Sequence, residues 1–580
     1  MKFFHVYNEH CFVGLEKNGL INEDTGFKIQ HAFSVPEVNK FNSLAKKGGK
    51  LHSMIKSERI PFYVDRIAGG ITYHKYDFDK ALIDEYVNIL GDDFLGFQLH
   101  ESGSNRRNSD WQRILRVMDG HHGPYDAKKL RELTVRSHAV MPDGTVLSGF
   151  SQDTPETYAA MRYAETPKEY FDEMKDLFKR RMDEVGGRIL PCDSYYLATK
   201  LQNELGMKTF MPEVGCQIPL MRQEIAIARG IAKANGKTWG AYYECWREIR
   251  ENGKYLYSMP CFNSDSSNEW YLTQQLHPDD FTSYGKNGGS SRLLQNRIYH
   301  YALMAGADYF SEEWGLNCSY SDMKDFTLSE YGLLKKKFIN DALKFRGIKA
   351  HVPFAIVLPK DYACVELQDM FESDKIGDHR SEYLRCKLSP EEKDYYGHIE
   401  DVLKLFFSQT EKIGNEGHVI TNSRIPDVVD IIYEDAPESA FNNYEYLIDA
   451  TPGSSFARAK SEIGLKILES RDIEKLEQDM NSLVKKIMPC YADGLCWLVS
   501  YGKNGEGYIS IFNNEGNERS LEHGDIIHSE ADKTVKVFFK EECCPKVEKS
   551  SHESVKITQT DRQSVSLKVP ATGFVILRFK

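Results

Sequence analysis

Phe94-Leu95-Gly96-Phe97-Gln98-Leu99-His100-Glu101-Ser102-Gly103 decides how the chain is read. It begins as an apolar strand and ends in a polar cluster with a carboxylate. A buried strand that finishes in His-Glu-Ser-Gly puts ionisable groups where a sheet meets a loop. Lys237-Thr238-Trp239-Gly240-Ala241-Tyr242-Tyr243-Glu244 has the same form, aromatic and apolar before a terminal glutamate. Glu101 and Glu244 are therefore read as two catalytic carboxylates carried by two strands of one sheet.

The flanking sequence repeats this unit. Strand-like stretches occur at 1–8, 26–33 and 61–70 before it, and at 188–193, 208–215 and 306–315 besides 237–244 after it. Helical stretches lie between them, at 37–59, 79–90, 166–185, 196–205, 220–234, 291–305 and 328–345. In 79–90, Ala81, Leu82, Tyr86, Val87 and Leu90 fall at helical spacing. Eight strands alternating with helices predict a (β/α)8 TIM barrel over residues 1–350, with its chemistry at the C-terminal strand ends. An open doubly wound sheet shares the alternation. The early strands lack a GxGxxG turn, which argues against a dinucleotide fold. Two long polar stretches, 103–165 and 247–288, read as insertions over the catalytic face.

After the barrel the pattern changes. Val352-Pro353-Phe354-Ala355-Ile356-Val357-Leu358-Pro359 is a fresh apolar strand. A helix over 396–413, a strand at 418–421, a helix-like stretch at 425–432 and a strand at 444–453 follow. Residues 351–490 are read as a compact α/β domain. Residues 491–580 are nearly all strand and turn, which predicts a small β-sandwich.

Composition narrows the function. The 580 residues are 41% hydrophobic and 28% charged, as in ordinary folded proteins. The net charge of −12 argues against a nucleic-acid backbone as main partner. No segment approaches the ~20 apolar residues of a membrane helix. The opening Met1-Lys2-Phe3-Phe4 is interrupted by His5, Asn8 and Glu9 before a signal-peptide core develops. The twelve cysteines form no CxxC pair, and reduced thiols in a cytoplasmic protein are expected. His121-His122, near Asp119 and Asp126, is the one metal-like group considered. A loop histidine pair is more often simply polar, so neither a metal nor a cofactor is expected.

A barrel, an α/β domain opening on an apolar strand and a β-sandwich, in that order, resemble the family-42 β-galactosidases and their relatives in the retaining-glycosidase clan. By that resemblance the middle domain is flavodoxin-like and helps build a homotrimer. The stretch 94–103 looks like the family's fourth strand, with Glu101 matching the acid/base. The stretch 237–246 looks like the seventh, with Glu244 matching the nucleophile. The stretch 302–315 is similar to the eighth, with Trp314 matching an aromatic that faces the sugar. The clan's asparagine before the acid/base, which binds the sugar 2-hydroxyl, is replaced here by His100. The resemblance implies a retaining exo-β-glycosidase, a β-galactosidase first among them, acting on an oligosaccharide or glycoside. Other β-glycosidases of the clan, a metal-dependent barrel hydrolase and a non-catalytic carbohydrate-binding protein are the alternatives.

Further site residues follow from position. Arg66 closes the strand at 61–70 and either holds a catalytic carboxylate ionised or pairs with Asp65. Asp193 ends the fifth strand as a site residue or a helix cap. Glu213 ends the sixth as a rival catalytic carboxylate or a substrate contact. Tyr242 can give Glu244 a phenolic hydrogen bond. Glu312 and Glu313 are adjacent, so their side chains point to opposite sides of a strand. One is expected in the site, Glu313 being preferred, and the other is structural.

Overall fold

The computed structural model describes residues 1–30, 39–67, 78–100, 167–192, 198–215, 221–244, 247–251, 254–258, 292–313, 319–322, 324–328, 330–363, 390–407, 423–460, 464–513, 517–519, 526–529, 532–552, 555–570 and 573–580. They fall in two compact units, one of residues 1–25, 213–359 and 397–580, the other of 26–212 and 360–396.

The first strands are β1 (Lys2–Val6), β2 (Thr25–Gln30), β3 (Phe62–Ile67), β4 (Phe94–His100), β5 (Ile189–Cys192), β6 (Thr209–Phe210), β7 (Glu213–Gly215) and β8 (Thr238–Glu244). A hairpin of β9 (Arg247–Glu251) and β10 (Lys254–Ser258) follows, then β11 (Tyr309–Glu312). Helices α1 (Glu9–Asn18), α2 (Asn39–Leu44), α3 (Lys50–Glu58), α4 (Lys80–Leu90), α5 (Pro167–Glu184), α6 (Ala198–Glu204), α7 (Met221–Asn235), α8 (Arg292–Met304) and α9 (Glu330–Lys344) alternate with them. Except for the hairpin, all these strands belong to one nine-stranded sheet. Its parallel pairing with helices between strands is consistent with a TIM barrel.

Local chemistry sets several boundaries. Asn8 caps α1 by accepting from the Cys11 amide at 2.7 Å, and Gly19, at φ +62°, ends it. That helix lies where no element was expected. The helix expected over 37–59 is two, α2 and α3, separated by a turn in which Gly48 has φ +77°. The strand expected at 208–215 is also two. Pro212, which has no amide hydrogen for a ladder, sits between β6 and β7. Glu213 therefore opens β7 instead of closing a longer strand.

In the unit holding 26–212, β2, β3, β4 and β5 pair in parallel in that order. Phe62, Phe94 and Phe97 pack with Tyr86 of α4, Phe41 of α2 and Phe78 in a buried aromatic layer. Gly96 is required in β4. Its φ is +89°, and a Cβ there would collide with the Arg188 carbonyl, which accepts from the Phe97 amide at 3.0 Å.

In the other unit, β1, β11, β8 and β7 pair in parallel. The same unit holds a second parallel sheet. Its strands are β12 (Phe354–Leu358), β13 (Val429–Tyr433), β14 (Tyr446–Asp449) and β15 (Ile467–Glu469), ordered β13-β12-β14-β15. The stretch expected to be helix-like at 425–432 is thus a strand from Val429 on. Val429, Ile431 and Ile432 are β-branched and buried, and β13 pairs with the central β12. Further along, antiparallel sheets of five, four and two strands lie in 490–580 among the described residues, the five-stranded one also taking in Lys349–Ala350.

Helix α7 is joined to β13 and to the loop just before it by two buried ion pairs. Arg222 grips Asp427 with three N–O contacts of 2.6, 2.9 and 3.0 Å, and Asp427 also accepts from Tyr301 and Cys496 at 2.9 and 3.1 Å. Arg229 meets Asp430 at 2.6 Å, and Tyr444 donates to the same carboxylate at 3.0 Å.

Candidate active site

Which side of β11, β8 and β7 each residue faces can be read from its contacts. Phe3 and Phe310, register partners on β1 and β11, stack at 5.7 Å and meet Tyr299 of α8 and Phe338 of α9. Tyr243 meets Tyr299 edge-on at 5.9 Å. These residues mark the helix-packed side. Alternation puts Tyr309, Ser311 and Tyr242 on the other side, where Tyr309 meets Phe4 at 5.7 Å. Ser311 is the register partner of Tyr242, and Tyr242 of Glu213. All three are buried, so a hydroxyl, a phenol and a carboxylate line one level of that side.

The two adjacent glutamates separate cleanly. Glu312 is on the helix-packed side. It accepts from the Tyr299 hydroxyl and from Gln295 at 3.3 Å, and it pairs with Lys335 of α9. Burial pushes the Tyr299 phenol well above its usual range, and the Glu312 carboxylate adds to this, so the hydroxyl keeps its proton and donates. Nearby His5 is lowered to about 3, by burial first and the Lys335 charge second, and is neutral at ordinary pH. Glu312 is thereby held by helices α8 and α9. Glu313 is also buried, and its amide donates to the Tyr243 carbonyl at 2.8 Å, extending the β11–β8 ladder by one step. Glu244 closes β8 as the register partner of Gly215. Strands β7, β8 and β11 therefore carry Glu213, Tyr242, Glu244 and, one residue past β11, Glu313 within one unit.

In the other unit, Arg66 is the penultimate residue of β3 and His100 the last of β4. Asp65 is fully buried and accepts from Lys28 of β2 at 2.6 Å. Lys28 is the register partner of Tyr63, on the side of the sheet away from α4. The partner of Asp65 is thus Lys28, a residue not singled out from the sequence above. The signal was available: a lysine between Phe27 and Ile29 inside an apolar strand. Glu101, Asp193 and Trp314 lie outside the described residues, as do His121 and His122. Among the described residues, no group of three or more His, Cys, Asp or Glu is placed to hold a metal. No helix among them is long and apolar enough to cross a membrane.

No known protein-family profile matches the chain, and no curated protein matches it by sequence. Solved structures do show similarity. An α-L-fucosidase isoenzyme 2 from Paenibacillus thiaminolyticus aligns at 8% identity and a TM-score of 0.37, over 96% of this chain and 87% of that one. A β-galactosidase from Rahnella sp. R3 aligns at 8% identity and a TM-score of 0.37, over 100% and 98%. An exo-β-1,4-mannosidase from Opitutaceae bacterium strain TAV5 aligns at 9% identity and a TM-score of 0.31, over 88% and 84%. The fold assignment rests on the strand pairing above and not on these likenesses.

Proposed function

We propose that the chain is a retaining exo-β-glycosidase, a β-galactosidase by preference, acting on terminal β-linked sugars of oligosaccharides or glycosides. The observation that supports this best is the set of polar residues on three neighbouring strands, Glu244 and Glu313 at the C-terminal ends of β8 and β11 and Glu213 level with Tyr242 below them. The C-terminal strand ends are where β/α barrels carry their chemistry.

In this reading Glu244 attacks the anomeric carbon while Glu101 protonates the departing glycosidic oxygen. The C–O bond to the leaving group breaks as the bond to Glu244 forms. Water then attacks the glycosyl ester, Glu101 takes its proton, and Glu244 leaves as carboxylate. This retaining path needs the two carboxyls ~5–5.5 Å apart. Arg66 helps keep a catalytic carboxylate ionised, and Tyr242 donates to Glu244. His100, Asp193, Glu213 and Glu313 take sugar hydroxyls, and Trp314 offers an apolar ring face. No metal or cofactor enters the reaction.

The second parallel sheet, in strand order 2-1-3-4, is read as part of a flavodoxin-like domain. The antiparallel sheets are read as a β-sandwich. The assembly proposed is a cytoplasmic homotrimer, testable by light scattering at three times 66.6 kDa. The reaction is tested with a panel of aryl glycosides. Glu101→Gln and Glu244→Gln should each abolish hydrolysis while circular dichroism is unchanged. Two variants as active as the parent on every glycoside it cleaves would end the proposal.

A further inference from the structure

Lys335 does more than pair with Glu312. Its ammonium also donates to the Ser319 hydroxyl at 2.5 Å. Glu313 and Ser319 are the described residues that border 314–318, and Glu312 directly precedes the first of them. All three partners are buried: Lys335 is 2% exposed, Glu312 1% and Ser319 4%. One turn earlier on the same face of α9 stands Gly332, whose missing side chain leaves space for the Ser319 backbone. A Cβ there would collide with the Ser319 carbonyl and lie 3.1 Å from Leu328. Helix α9 thus receives Ser319 at two positions three residues apart, and from the second of them it reaches Glu312.

Three donors hold Glu312 in place: Tyr299 and Gln295 from α8, and Lys335 from α9. A buried carboxylate held by an ammonium, a phenol and an amide resists displacement, because moving it away from Lys335 strands both charges away from water. The peptide linking residues 312 and 313 is then fixed from below by the Glu312 side chain. From the side it is fixed by the Glu313 amide on Tyr243.

We propose that Lys335, with Gly332 beside it, is a positioning residue that fixes the Glu313 carboxylate by tying residue 312 to residue 319. As to what Glu313 does, this rests on the glycosidase reading above, in which Glu313 takes a sugar hydroxyl in ground and transition states alike. Loosening it should therefore raise KM and leave kcat nearly unchanged.

The test compares Gly332→Ala and the charge-balanced Glu312→Gln/Lys335→Met pair with the parent. Amide hydrogen exchange over 310–313 is read together with kcat and KM on an aryl glycoside that the parent cleaves. The variants should stay folded by near-UV circular dichroism and exchange the 310–313 amides faster, while β12 amides are unchanged. KM should rise about tenfold with kcat within about threefold. Lys335→Arg should restore both readouts in part. Unaltered exchange at 310–313, or an unaltered KM with only the folded fraction reduced, overturns the proposal. A parent that cleaves no glycoside sinks the glycosidase reading instead, and the exchange result alone then decides whether Lys335 positions Glu313.

Discussion

Removing Asp427 should cost more stability than its place in a loop before β13 suggests. Asp427→Ala strips the acceptor from five described contacts at once: three from Arg222 and one each from Tyr301 and Cys496. Arg222 is 3% exposed, so its guanidinium cannot turn to water. Burial alone would lower the Arg222 pKa, yet Asp427 outweighs this and holds it above its usual range, so the cation stays charged. Breaking a buried pair by deleting one partner costs ~3–5 kcal/mol, most of it the stranded charge. The assay is urea unfolding of the unit that holds Asp427, followed by circular dichroism. The control is Glu477→Ala, which removes the exposed Arg424 pair and should cost under ~1 kcal/mol. Arg222→Met combined with Asp427→Ala should recover part of the loss, because no unpaired charge remains. A loss for Asp427→Ala no larger than for the control would refute the view that this pair locks α7 against the second sheet.

Gly96→Ala should destabilise by about 3 kcal/mol, since it adds both a left-handed backbone penalty and a collision with the Arg188 carbonyl. Thermal unfolding checks it; an unshifted midpoint would contradict the register of β4 on β5. His5 supplies a pH dependence. Its folded pKa, about 3, lies below the unfolded 6.5, so the neutral-form stability is complete above 6.5 and is lost as pH falls toward 3. Relative to His5→Gln, the parent should lose about 1.4 kcal/mol per pH unit inside that window. A flat difference would mean that His5 is not buried neutral. Lys28→Met should cost ~3–5 kcal/mol by stranding Asp65. Chemical denaturation of that variant would show parent-like stability only if Asp65 were not buried against Lys28.

The strands of the barrel sheet were legible because burial on both faces leaves near-continuous apolar runs, as in 94–99 and 238–243. Their polar ends stood out for the same reason. Helix α1 was not legible, because Asn8 and Glu9 interrupt an apolar start; in the fold they are its cap and first turn. The strand at 429–433 was misread because Val-Asp-Ile-Ile-Tyr is too short for its period to separate helix from strand. Only pairing with β12 decides it. The partners of Asp427 and Glu312 were beyond reach for another reason. Arg222 lies 205 residues from Asp427, and no local pattern links them. Adjacency alone implies opposite directions for Glu312 and Glu313, and only the contacts identify Glu312 as held by the helices.

The central chemical claim is that Glu244 forms a covalent bond to the sugar. Its most direct test is inactivation by an activated 2-deoxy-2-fluoro-β-galactoside, followed by peptide mass mapping. One sugar per chain on the peptide containing Glu244, with activity returning as the label is released, is the result predicted. A label on Glu213 or any other residue, or hydrolysis that inverts the anomeric centre, would contradict it.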